Sequence, residues 1–464
     1  MDSARSIFTA RNLMVLSLAI NVSFILRLGY QTFDIKREQL IGGDGARREA
    51  LSTQRAHLSV STTSSSSPTT FPGEDRHRVI NLDQQIFKPG GAKMKYHYQG
   101  GDPTMYERFW QQVGDKATVV IPGWQSISYF SDIGNLCWFL EPEFAKQLLR
   151  LHKIVGNAVT EDRHIVVGTG STQLFQAVLY ALARPGVEEP ISVVSAAPYY
   201  SSYPAITESL KSGLYKWEGD ALSFSKEGQF IELVTSPNNP DGYVRDSVVN
   251  KSGGVLVHDF AYYWPQYTPI TSPADYDIML FTLSKTTGHA GMRIGWALVK
   301  DREIAKRMVK YIELNSIGVS KDSQLRAAKV FKVVSDSCES SRDTTESLFE
   351  FAYHLMVERW QNLRAAVKRS GMFSLPEFSP GLCKFTGRFF EPQPAFAWLK
   401  CEEPIEDCES FLRSNKILTR SGTHFGVGPQ YVRISLLDRD DNIDLFVERL
   451  SNIRKDNLYQ HMGE

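Results

Sequence analysis

The stretch IMLFTLSKTTGHAGMR, residues 278–293, decides how the rest of the chain is read. It opens on an almost wholly apolar run without alternation, the pattern of a strand buried on both faces. The run leads into Lys285, and a lysine at the buried end of a core strand is rare unless it is paired or reactive. Four upstream runs have the same character: RHIVV (163–167), ISVVS (191–195), IELVT (231–235) and GVLVH (254–258). Each gives way to a polar or glycine-containing loop. Helical patterns lie among them, at EPEFAKQLLRLHKIV (141–155) and LFQAVLYALA (174–183). This alternation predicts an α/β architecture with a large, mostly parallel sheet whose ligand site lies at the carboxyl ends of the strands. Longer helical stretches and the late strand YVRISL (431–436) predict a smaller C-terminal α+β domain.

The expected organisation is an N-terminal membrane anchor at 1–30, a flexible linker at 31–77, a large domain at 78–315 and a small domain at 316–464. The anchor rests on LMVLSLAINVSFILRL (13–28), which extends to 7–30 with Arg11 and Arg27 able to reach the headgroups. An uncleaved anchor is preferred over a cleaved signal because no small-x-small cleavage site follows closely. Basic residues on both sides of the span leave its orientation open. The linker ends in STTSSSSPTTFPGED (61–75), too poor in apolar side chains to offset its ordering entropy.

Lys plus Arg and Asp plus Glu each number 52, so formal net charge is zero, which excludes broad nucleic-acid binding through a basic surface. The five cysteines (137, 338, 383, 401 and 408) are scattered, and neither a metal site nor a disulfide framework is read from them.

Candidate functional groups fall at the ends of the apolar runs. Gly168-Thr169-Gly170-Ser171-Thr172 is a turn into a helix whose N–H groups and hydroxyls suit a phosphate. SPNNPDG (236–242) presents Asn239, and Asp259 opens Asp-Phe-Ala-Tyr with Tyr262 three residues on. Thr282 and Ser284 precede Lys285, and Arg293 follows it. Taken singly, each has an ordinary explanation as a turn, an N-cap or a solvated lysine. Together, in this order, they supply what pyridoxal phosphate needs from a protein. Lys285 would hold the aldehyde, and Asp259 would keep the ring nitrogen protonated through a charged hydrogen bond. Asn239 and Tyr262 would contact the ring oxygen O3′. Ser171, Thr172, Thr282, Ser284 and Arg293 would cradle the phosphate.

At these residues the resemblance becomes specific. SPNNPDG (236–242), HDFAYYWPQYTPIT (258–271) and DIMLFTLSKTTGHAGMRIGWALVKD (277–301) resemble the plant alliinase and tryptophan-aminotransferase-related family across about residues 79–455. Its members are fold-type I, aspartate-aminotransferase-like, pyridoxal-phosphate-dependent enzymes. SYFSDIGNLCWFLEPEF (128–144) and LHKIVGNAVTEDRHIVVGTGSTQL (151–174) are similar to the tryptophan-aminotransferase-related branch, some of whose members carry an N-terminal membrane anchor. The resemblance implies a homodimer in which Tyr129 reaches the phosphate of the neighbouring subunit. It places Lys285, Asp259, Asn239, Tyr262, Ser171, Thr172 and Arg293 in the roles given above. Arg433 in YVRISLLDRDD would clamp the substrate α-carboxylate as a bidentate fork. Tyr199 in APYYS would stack on the ring face, with Tyr200 as the alternative. One departure stands out: QQIFKPGGAKMKYHYQG (84–100) separates Asn81-Leu82-Asp83 from Asp102-Pro103-Thr104. It either alters substrate access or is a gene-model artefact with no folded role, the reading preferred here.

The reaction so implied is a ping-pong transamination between an aromatic L-amino acid, foremost L-tryptophan, and a 2-oxo acid acceptor. The product would be indole-3-pyruvate, an auxin precursor, made by a single-pass protein of the endoplasmic reticulum membrane. Trp124, Phe130, Trp138, Phe139 and Tyr263 are aromatic residues near the proposed site, most of them expected to be core. The rival readings are a C–S lyase of the alliinase kind and a membrane-anchored homologue without catalysis.

Overall fold

The unalternating apolar runs become strands of one sheet, which is why both their faces are apolar. In this computed structural model, which describes residues 80–81, 101–183, 189–340 and 346–454, seven strands form the large sheet. They are β1 (His164–Gly168), β2 (Ile191–Ser195), β3 (Tyr215–Asp220), β4 (Phe230–Thr235), β5 (Gly254–Asp259), β6 (Ile278–Thr282) and β7 (Gly295–Val299). Their order is β1-β7-β6-β5-β4-β2-β3. Neighbours from β6 to β3 run parallel, whereas β7 lies antiparallel between β1 and β6. β4, β6 and β7 are buried along their whole length.

Two strands were not anticipated. β3 is an edge strand reading YKWEGD, whose charged residues mask the pattern, and β7 reads GWALV, an apolar run as long as those read as strands upstream. The expected helices form at Pro142–Val155 and Gly170–Leu182. The first has proline in its opening turn and closes on Gly156, whose left-handed φ of 69° suits a residue without a Cβ.

A second, four-stranded sheet comprises β8 (Phe373–Ser374), β9 (Phe396–Cys401), β10 (Arg420–Ser421) and β11 (Tyr431–Ser435), in the order β10-β11-β9-β8. All its pairings are antiparallel. The expected late strand is therefore an interior one, and Arg433 on it sits opposite Trp398 of β9. The long helix Leu348–Ser370 starts on a capping box between Ser347 and Glu350. From that helix the buried Arg359 donates to the Leu436 carbonyl and pairs with Asp440, anchoring the chain just past β11.

Cys401 at the end of β9 is disulfide-bonded to Cys408, which opens the helix Cys408–Ser414. The cysteine pattern had given no sign of this bond. A loop this short restricts the unfolded chain by about 2–3 kcal/mol. Adding a reductant, or replacing both residues by serine, is expected to lower the urea midpoint accordingly, as followed by circular dichroism.

The candidate membrane span, the linker and the 84–100 insertion lie outside the described residues. Among the described residues no helix is long and apolar enough to cross a membrane.

Candidate active site

The carboxyl ends of β1, β4, β5 and β6 face one edge of the large sheet, and antiparallel β7 begins there. Gly168, Asn239, Asp259, Lys285 and Arg293 therefore converge although their positions in the chain are far apart.

Lys285 lies in a one-turn helix, Leu283–Thr286, directly after β6. Its Nζ donates to the carbonyl of Gly101. Burial pulls the amine down to about 8; Arg433 and Arg293 add to the effect and Asp102 opposes it. Gly101 itself has φ 118°, and a Cβ there would lie 3.0 Å from Lys285 Nζ and 3.1 Å from the Phe396 ring. Only glycine lets this backbone approach the amine so closely.

Beside the lysine is an anion-shaped turn. Gly170 has φ 73°, and a Cβ on it would lie 2.7 Å from Arg293 Nη2, so the guanidinium lies against the start of the helix Gly170–Leu182. A Cβ on Gly295 would meet the Ser171 nitrogen at 2.6 Å. The start of the helix that carries Ser171 and Thr172, with its orphan N–H groups, thus lies against one guanidinium. Ser284 is buried in the turn that carries the lysine. The Thr282 hydroxyl caps that turn by accepting the Ser284 N–H at 3.3 Å and lies 3.5 Å from the Ile294 carbonyl.

Asp259 ends β5. Its Oδ1 accepts the Ala261 N–H at 3.0 Å and its Oδ2 the Tyr203 hydroxyl at 3.2 Å. Burial pushes this carboxyl up to about 6 against those two donors. Asn239 donates to the Tyr262 hydroxyl at 3.3 Å and accepts from Arg433 Nη1 at 3.1 Å. Burial also drives the Tyr262 phenol well upward, so it stays protonated and can donate. The Arg433 guanidinium lies 4.2 Å from the ring centre of Phe396 and 5.2 Å from that of Phe425, held between two aromatic faces.

The remaining expected residues have the following surroundings. Tyr199 packs on Trp217 at 5.0 Å and against Gly426, and its N–H bonds to the Phe425 carbonyl. Tyr200 instead packs edge-on against Tyr203, 5.3 Å away, the residue that contacts Asp259. Tyr129 is 69% exposed and lines a surface hollow with Trp138 and Leu314 rather than joining the Lys285 group of its own chain. Of these five aromatics, Trp124 and Phe130 are exposed, Trp138 packs against Phe130 in a tilted pair, Phe139 is core, and the Tyr263 hydroxyl bonds to the Ser272 carbonyl. Phe396, Phe425 and Tyr203, which do contact the site, come from elements that only folding brings in.

This sheet order and site position define a fold-type I pyridoxal-phosphate transferase fold. Among solved structures, an aminotransferase from Staphylococcus aureus superposes with TM-score 0.54 at 18% identity, over 83% of this chain and 97% of that one. A Thermus thermophilus aspartate aminotransferase variant superposes with TM-score 0.55 at 14% identity, over 81% and 92%. The sequence profile described as allinase matches residues 96–454, and the chain belongs to that family. Tryptophan aminotransferase-related protein 2 of Arabidopsis thaliana is 57% identical over 95% of this chain and 96% of its own length. The rice protein of the same name is 56% identical, over 94% and 86%. Alliin lyase of Allium cepa var. aggregatum is 39% identical, over 74% and 78%.

Proposed function

We propose that the protein is a pyridoxal-phosphate-dependent aminotransferase that converts an aromatic L-amino acid, foremost L-tryptophan, into its 2-oxo acid. The observation that carries this is the convergence of an enclosed amine, a strand-end carboxylate and a glycine-floored cationic turn at one sheet edge. These residues fit the cofactor: the cradle at Gly170 is one that a Cβ would fill, and the donors around Asn239 and Tyr262 are those an aromatic hydroxyl oxygen needs.

In this reading Lys285 holds the cofactor's aldehyde and afterwards carries the proton taken from the substrate Cα. Asp259, steadied by Tyr203, faces the ring nitrogen, and Asn239 and Tyr262 face the ring oxygen. Ser171, Thr172, Ser284 and Arg293 receive the phosphate. Tyr200, in place of Tyr199, covers the ring. Arg433 binds the α-carboxylate, and Phe396 offers an apolar wall to the side chain. Once bound, the cofactor supplies an electron sink for the charge that develops at Cα. Tyr129 completes the phosphate site of a second copy, and its neighbours Val120, Trp124, Ile127 and Ile133, each at least 72% exposed, suit burial in such a dimer. The apolar run at 13–28 is retained as a single-pass anchor, with the endoplasmic reticulum as its membrane.

Tryptophan as donor, and hence indole-3-pyruvate as product, rests on the names of the similar plant proteins. The similarity to alliin lyase keeps C–S bond cleavage as the second reading. A panel of amino acids assayed with pyruvate and with 2-oxoglutarate separates the two. Indole-3-pyruvate formed only when an acceptor is present supports transamination. Pyruvate released from an S-alkyl cysteine sulfoxide without acceptor supports the lyase.

Gly170→Ala tests the cradle. The added methyl must displace the Arg293 guanidinium and hold a left-handed backbone at a cost of about 1–2 kcal/mol. The cofactor dissociation constant, from quenching of tryptophan fluorescence, is expected to rise about tenfold or more.

A further inference from the structure

The helix that carries Lys285 is a single turn, Leu283–Thr286, so its last carbonyls have no helical partners further along. Within the turn, the Leu283 carbonyl is met by the Thr287 N–H at 3.2 Å. The carbonyls of Lys285, Thr286 and Thr287 are met by side chains from elsewhere. The Lys285 carbonyl accepts from the Tyr267 hydroxyl at 3.2 Å and from the Gln266 amide at 3.3 Å. The Thr286 carbonyl accepts from the same amide at 3.1 Å, and the Thr287 carbonyl from the Trp110 indole N–H at 2.9 Å. Behind them the Tyr106 hydroxyl lies 3.0 Å from that of Tyr267 and accepts from Gln266 at 3.1 Å. Gln266, Tyr267 and Tyr106 are all buried.

Two of these donors' elements are also tied to the lysine's other end. Tyr106 and Trp110 belong to the stretch that begins at Gly101, whose carbonyl takes the Lys285 Nζ. That stretch is pinned by the Met105 N–H on the Leu437 carbonyl and by Tyr106 packing over Gly288, where a Cβ would lie 2.5 Å from the ring. One segment thus holds both the main chain and the amine of the same residue.

We propose that Tyr267, Gln266 and Trp110, braced by Tyr106, are positioning residues that cap the lysine-bearing turn and so fix where the Lys285 amine points and how basic it is. The inference rests on the reading of Lys285 as the cofactor-holding amine. A one-turn helix without its own carbonyl partners would fray, and an amine displaced by about 1 Å can lose on the order of a hundredfold in rate.

Tyr267→Phe removes one hydroxyl and keeps the ring. In the full-length holoenzyme kcat is expected to fall about ten- to a hundredfold, with KM within about twofold. In the apoprotein, reductive methylation with 13C-formaldehyde followed by NMR titration is expected to show the Lys285 amine midpoint displaced by about half a pH unit or more. In a Lys285→Ala background supplied with ethylamine as the external base, Tyr267→Phe is expected to cost nothing further, because no lysine remains to be positioned. An unchanged midpoint with unchanged kcat, or an equal loss in the Lys285→Ala background, overturns the inference. Should Tyr267→Phe not fold, Trp110→Phe, which removes the N–H bound to Thr287, is put through the same three measurements with the same outcomes required. Borohydride reduction of the wild-type holoenzyme keeps the two readings apart. Absence of label on Lys285 refutes the functional reading, whereas label on Lys285 with an unresponsive Tyr267→Phe refutes the positioning role alone.

Discussion

Lys285→Ala is expected to lower kcat by about 10⁴-fold, the upper range for removal of a positioned proton carrier. In the proposed reading the loss is large because one side chain performs two tasks, covalent attachment and proton movement. The variant is expected to bind the cofactor without a covalent link, so borohydride leaves its tryptic peptides unlabelled while the cofactor washes out under denaturant. The environment of the amine adds a pH signature. Burial brings Lys285 to about 8, and the neutral amine is the nucleophile. Capture of the cofactor by wild-type apoprotein is therefore expected to quicken as pH rises through about 8 and then level off. Stopped-flow absorbance at fixed ionic strength measures this. A rate that falls over the same window would contradict a lysine nucleophile.

Arg433→Leu carries the second large effect. The guanidinium is almost wholly buried, sandwiched between Phe396 and Phe425, and donates to Asn239. The aromatic faces restrict the planar fork, which suits a planar anion. Truncating one partner of a buried charged contact costs about 2–5 kcal/mol, so kcat/KM for L-tryptophan is expected to fall on the order of 10³-fold. The control is tryptamine, which has the same side chain without the carboxylate. Whatever slow reaction it shows is expected to change little in the variant. An equal loss for both compounds would assign Arg433 a structural part instead. Arg433→Lys keeps the charge without the fork and is expected to fall between the two.

The same contrast between local pattern and assembled contact explains what the sequence could reveal. The run into Lys285 was legible because a strand buried on both faces has no choice but to be apolar throughout, and a lysine at its end is conspicuous. Asp259 and Asn239 were legible for the same reason, each sitting at the end of such a strand. β3 was not, because an edge strand tolerates Lys216, Glu218 and Asp220 among its apolar members. Phe396 and Phe425 belong to another sheet and its neighbouring turn, and nothing local marks them as partners of Arg433. Tyr267 and Gln266 sit in the stretch HDFAYYWPQYT that was singled out for Asp259, yet their contacts to the Lys285 carbonyl depend on how the chain after β5 folds back over β6. Whether Tyr199 or Tyr200 covers the ring depends on side-chain direction, which a pair of identical adjacent residues does not disclose.

The place of β7 bears on how the molecule is made. β1 emerges early from the ribosome, but its neighbour in the sheet is a strand synthesised far downstream. Until that partner arrives, the apolar ribbon His164–Gly168 has unpaired edges, a state prone to aberrant association. The high sequence separation of this pairing predicts slow, late closure of that flank of the sheet. Nascent chains stalled before Gly295 should accordingly bind holdase chaperones more strongly than chains stalled after Val299.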